Sequence, residues 1–355
     1  MRISPQLRVH RAHFGDVGRA QSPAEVQADF QTLLRGCSEV HSDFLPQIPL
    51  EVLEAALEAE RRGGGPCARV FLHQESSDAA RLARQPCVKG IALVNAWSDA
   101  ELDELCTALE APDCSVRALS LRETQVSDEN LFRLAKAMER GARLEELELR
   151  FDWDQFEEHV DPEEALRHGL HFPLSCTRLA TSQLHTLRLV GLGTMNFPAL
   201  LLLVRASRAL RRLSITNCNV GTSNLAALAK VLASPRSRLA TLHISNEEVD
   251  RTAAAALAEM LRHNTSLRQL HAAGRDSLGD NGRPRLWSDS DVETVLEALR
   301  ENTALRQLTL PKLDADGELP QAWSLRELQI AALRTECPCA ADVRISEWSE
   351  LIEDD

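Results

Sequence analysis

Apolar residues recur along this chain in one short form, apolar-x-x-apolar-x-apolar. It reads Leu305-Arg306-Gln307-Leu308-Thr309-Leu310, and again Leu210-Arg-Arg-Leu213-Ser-Ile215, Leu239-Ala-Thr-Leu242-His-Ile244 and Leu184-His-Thr-Leu187-Arg-Leu189. Leu144-Glu-Glu-Leu147-Glu-Leu149 and Val116-Arg-Ala-Leu119-Ser-Leu121 fit as well, with looser copies at Val88 and Leu267. The copies start at 88, 116, 144, 184, 210, 239, 267 and 305, so the steps are 28, 28, 40, 26, 29, 28 and 38 residues. A near-constant period in this range marks a repeat architecture, and the two long steps read as loop insertions. The end of each copy alternates, which predicts a short strand with one buried face. Between copies the apolar spacing changes to that of a helix. Leu102, Leu105 and Leu109 show it, then Leu225, Leu228, Ala229 and Leu232, then Leu257 and Leu261, and last Val292, Val295 and Leu299.

A strand and a helix cannot bury an apolar face alone, whereas stacked copies can. Strands joined through helices run parallel. The expected fold class is therefore α/β, a curved parallel sheet inside and helices outside. Leu210-x-x-Leu213-x-Ile215-x-x-Cys218-x-Val220 carries the closest resemblance to the leucine-rich repeat family, in its longer, ribonuclease-inhibitor-like form. The resemblance covers residues 88–346 and implies a solenoid that binds a protein on its concave face. Function sits in the side chains such a scaffold presents, not in the scaffold.

Alternation predicts those side chains. The residue between the last two inward-pointing apolar positions is Ala92, Ser120, Glu148, Arg188, Ser214, His243, His271 and Thr309 in turn. The next row begins Val94, Arg122, Arg150 and Val190. Neighbouring parallel strands hold such rows about 4.8 Å apart. Arg122, Glu148, Arg150, Arg188, His243 and His271 are the expected protein-binding residues of the concave face. The first insertion supplies a second candidate surface: residues 145–164 carry ten carboxylates against one arginine, with Trp153 and Phe156 among them. Acidic residues interleaved with aromatics suit an anchor contact with a basic protein partner.

The segment 23–87 reads as a helical cap over the first repeat, which a solenoid requires. Within it Ile48-Pro49-x-Glu51-Val52-Leu53, followed by Leu57, opens an amphipathic stretch, and Leu82-Ala83-Arg84-Gln85-Pro86 closes the segment before Val88. This resembles an F-box, although Ile48 replaces the usual leucine, the late tryptophan is missing and Gly63-Gly64-Gly65 interrupts the helix. The resemblance implies that Ile48, Pro49, Glu51, Val52, Leu53 and Leu57 bind the adaptor protein of a cullin ubiquitin ligase. The expected organisation is a basic arm at 1–22, a helical cap at 23–87, repeats at 88–346 with insertions near 151–183 and 274–287, and an acidic tail at 347–355.

Composition narrows the function. A net charge of −13 disfavours nucleic acid and anionic membranes as partners, and the chain holds no apolar run of membrane-spanning length. Nine cysteines, several at core positions such as Cys106 and Cys218, suit reduced thiols in a cytoplasmic setting. The sequence lacks a phosphate-binding glycine loop, a His-Glu-x-x-His pair and a Gly-x-Ser-x-Gly elbow. A non-enzyme without cofactor or metal is expected, monomeric, acting through protein contacts. Its basic, non-periodic N-terminus and repeats together resemble bacterial leucine-rich-repeat effectors delivered into host cells. The alternative is an enzyme inhibitor or assembly scaffold without a ubiquitin link.

Overall fold

The computed structural model describes residues 79–86, 88–94, 98–122, 128–150, 182–191, 197–218, 220–247, 251–274 and 289–309. It also describes short pieces at 39–41, 54–55, 58–59, 62, 68–72, 171–172, 179–180, 194–195 and 343–344. The chain divides into two compact units, Met1–Arg150 and Phe151–Asp355.

In the first unit, strands β1 (Glu39–His41), β2 (Ala68–Leu72), β3 (Val88–Val94), β4 (Ala118–Arg122) and β5 (Glu146–Arg150) pair in that order, every pair parallel. Helices α1 (Ala79–Ala83), α2 (Asp99–Glu110) and α3 (Asp128–Arg140) pack side by side between them in sequence. The pairing thus starts before Val88: the segment read as a helical cap contributes β1 and β2 besides α1. Ser98 starts α2 with a capping box, its hydroxyl accepting from the Glu101 amide while the Glu101 carboxylate accepts from the Ser98 amide at 2.9 Å. Gly141 ends α3 at φ +137, where a side chain would be strained, and this lets the amides of Gly141 and Ala142 both reach the carbonyl of Ala137.

The second unit repeats the plan. Strands β7 (Thr186–Val190), β9 (Arg212–Thr216), β10 (Thr241–Glu247), β11 (Gln269–Gly274), β12 (Gln307–Thr309) and β13 (Val343–Arg344) pair in parallel. Helices α4 (Phe197–Ala206), α5 (Thr222–Leu232), α6 (Arg251–His263) and α7 (Asp289–Ala298) alternate with them, each packed on the next. Two short strands, β6 (His171–Phe172) and β8 (Thr194–Met195), pair separately.

Every described apolar position of the repeated form is buried, including Leu144, Leu147 and Leu149, Leu184, Leu187 and Leu189, and Leu239, Leu242 and Ile244. The expected helix faces lie opposite them, so Leu225, Leu228, Ala229 and Leu232 of α5 are buried too. Successive copies are also joined through the backbone. The carbonyl of Arg211 accepts from both Ala240 and Thr241, that of Ala240 from Arg268 and Gln269, and that of Arg268 from Arg306 and Gln307. Each unit therefore has the leucine-rich-repeat fold that the sequence resemblance implies.

Candidate protein-binding face

Because the apolar residues of each strand point toward the helices, the intervening residues line the opposite, open face. In the first unit, strand register sets Ala92 beside Ser120 and Ser120 beside Glu148. One position further along, Arg122 lies beside Arg150. The two arginines do not confront each other unrelieved. Arg122 donates through Nε to the Ser120 hydroxyl at 3.0 Å and through Nη2 to a Glu148 carboxylate oxygen at 3.4 Å. The pair is partly buried and its contact is long, so it contributes about 1 kcal/mol or less; its main effect is to hold Arg122 in one orientation.

In the second unit the register sets Arg188 beside Ser214, Ser214 beside His243, His243 beside His271 and His271 beside Thr309. The His243 and His271 rings lie 5.6 Å apart, centroid to centroid, tilted by 48°. Nδ1 of His271 and the Thr309 hydroxyl share a hydrogen bond of 2.9 Å. The expected second row is interrupted here. Between Ile244 and Glu247 the pairing of β10 with β11 shifts, so Ser245 does not continue the register into Ala273.

A further row escaped the sequence reading. Thr186, Arg212, Thr241, Gln269 and Gln307 lie in register at the start of the same strands. Within it the Thr241 hydroxyl donates to Gln269 at 3.0 Å, and the Gln269 amide donates to Gln307 at 3.1 Å. The alternation used for the other two rows, carried two residues toward the strand start, identifies it. Two polar ladders thus run across neighbouring repeats, their donors and acceptors partly spent on each other. This fixes side-chain orientations before any partner arrives.

Of the other candidates, Ile48, Pro49, Glu51, Val52, Leu53, Leu57, Trp153 and Phe156 lie outside the described residues. Nothing arranged like a metal site occurs among the described residues, where no three His, Cys, Asp or Glu side chains converge. Cys106, Cys114 and Cys218 are buried as thiols, outside any disulfide. Burial, aided by the carboxylates of Asp103 and Glu110, pushes the Cys106 thiol up to about 12. No described helix is long and apolar enough to cross a membrane.

No family model matches the chain. Over 190 residues it is 30% identical to the ribonuclease inhibitor of Sus scrofa, a match that takes in 53% of this chain and 39% of that protein. The chain therefore spans about two fifths of the length of the relative it matches.

Proposed function

We propose that this protein is a protein-interaction module whose open strand face receives a protein target. The observation that carries this reading is the pair of in-register rows of the second unit, Arg188–Ser214–His243–His271–Thr309 and Thr241–Gln269–Gln307, whose side chains are held by the His271–Thr309, Thr241–Gln269 and Gln269–Gln307 hydrogen bonds. Pre-oriented side chains lose less rotamer freedom on binding, and that favours affinity. Arg122, Glu148 and Arg150 present a comparable face in the first unit. The test is photo-cross-linking in the source cells, with a benzophenone residue at Ser214 and, as control, at Thr107 on the exposed side of α2. A protein cross-linked from 214, and lost when Gln269→Trp blocks the neighbouring row, supports the reading. Equal yields from both positions overturn it.

A second reading, an inhibitor or scaffold, is favoured by the similarity to a ribonuclease inhibitor. It predicts that the protein captured at Ser214 is an enzyme whose turnover falls as the complex forms. A third role, as substrate adaptor for a ubiquitin ligase in an effector delivered to a host cell, draws on the F-box resemblance of Ile48-Pro49-x-Glu51-Val52-Leu53. There the ligase's adaptor protein should be retained by wild type and released by an Ile48→Ala, Pro49→Ala double variant; a well-folded wild type that retains nothing would sink it.

A further inference from the structure

Within the second unit, the loops that lead from each helix into the next strand stack on one another along one edge. The paired backbone bonds from Arg211 to Ala240, Arg268 and Arg306 set this order, and the Asn302 side chain reaches from its loop to the Asn264 carbonyl of the loop before. This edge is basic, although the chain as a whole carries −13. Part of that charge has a structural task. Arg211 donates to the carbonyls of Arg208 and Leu210 in its own loop, and Arg268 donates to Ala304 in the next. Other arginines do not share it. Arg208, Arg236, Arg238 and Arg306 are exposed, come from the loops before β9, β10 and β12, and pair with no carboxylate among the described residues. The one carboxylate in these loops, Glu301, is engaged by Arg262 at 3.5 Å. Arg212, exposed at the start of β9, carries the charge from the edge onto the open face.

We infer that this loop edge is a docking surface for an acidic segment of a partner protein, a site beyond the open-face contact proposed above. Like-signed guanidinium groups on neighbouring loops repel one another while the edge is empty, and a carboxylate ligand relieves that repulsion as it binds. Spaced at about 4.8 Å per repeat, the loops before β9, β10, β11 and β12 span about 15 Å, a length that about five extended residues cover. Nucleic acid fits less well. The acidic remainder of the molecule repels a long polyanion, and the edge arginines named here have no aromatic neighbour in these loops on which bases could stack.

The experiment titrates the full-length protein, by fluorescence anisotropy, into a labelled 12-residue peptide rich in Glu and Asp. Its Gln/Asn counterpart and a 12-nucleotide single strand run in parallel. The acidic peptide should bind, more weakly as salt rises, and the neutral peptide should not. An Arg236→Glu, Arg238→Glu variant should lose at least about tenfold in affinity. Arg251→Glu, an exposed reversal at the start of α6 on the opposite edge, should bind as wild type does. Circular dichroism and Tm establish that both variants are folded. No binding of the acidic peptide, equal loss in Arg251→Glu, or preference for the oligonucleotide would overturn the inference. Because Ser214 lies on the open face, cross-linking there can fail while this edge still binds, and the reverse.

Discussion

Two buried asparagines do more for this molecule than their polarity suggests. Asn302 donates to the carbonyls of Leu261 and Asn264 and accepts from the amides of Ala304 and Leu305. Asn264 does the same one repeat earlier, donating to Leu232 and accepting from Ser266 and Leu267. Each therefore satisfies a terminal helix carbonyl of the preceding repeat and the amides that turn the chain into its own strand. Asn302→Ala leaves those groups buried and unmatched, and should cost about 1–3 kcal/mol, read as a lower urea midpoint with an unchanged m-value. Asn302→Asp keeps the acceptor, loses the donor and buries a charge, so it should cost at least as much. Elsewhere Ser207 stands at the matching position and accepts from Leu210 at 3.1 Å. Cys106 makes a second residue-scale point. It is 6% exposed and its thiol titrates only at about 12, so at pH 8 almost none of it is the reactive thiolate. Iodoacetamide at pH 8 should leave Cys106 unmodified in the native protein and label it after unfolding, as read by peptide mapping. Rapid labelling of the native form would mean that α2 opens.

At the scale of elements, each repeat is a strand and a helix that depend on both neighbours. Leu242 is fully buried in the middle of β10, between β9 and β11. Leu242→Ala should cost about 2–5 kcal/mol. In a stack of nearest-neighbour interactions the loss should spread outward in steps. Hydrogen exchange should show protection falling most in β9, β10 and β11, and least in β3 and β4. A uniform loss along the chain would contradict repeat-by-repeat stability. The same neighbour dependence explains which elements the sequence revealed. Strands were legible because each repeats the same spaced leucines, and helices such as α5 because their apolar positions fall on one face. Helix α4 was obscured: Phe197-Pro-Ala-Leu-Leu-Leu-Leu-Val is apolar all round, and the structure leaves Leu202 51% exposed. Strand β2 carries the form as Cys67-Ala-Arg-Val70-Phe-Leu72, with Val70 and Leu72 in register with Ile91 and Leu93, but the helical patterns on either side hid it; β1 keeps only part of the form and is identified by its pairing with β2.

At the scale of the whole molecule, charge is partitioned rather than spread. An excess of carboxylates over the chain coexists with a basic loop edge and with an open face where arginine, histidine and amide side chains predominate in the second unit. The sequence by itself determined the repeat period, the parallel strand-and-helix plan, the inward leucines and, within each unit, the in-register rows from Ala92 to Glu148 and from Arg188 to Thr309. All of these follow from local periodicity, and a parallel sheet leaves one register that buries every leucine. Tertiary structure alone decided the rest. The shift between β10 and β11 breaks the second row; the Thr241–Gln269–Gln307 ladder forms only where three strands meet; Asn264 and Asn302 find their partners in other repeats. The basic edge likewise exists only because stacking brings loops about 30 residues apart in sequence within about 5 Å of each other. Hydrophobic period is a property of a segment, whereas hydrogen-bond partners and clustered charge are properties of distance in space.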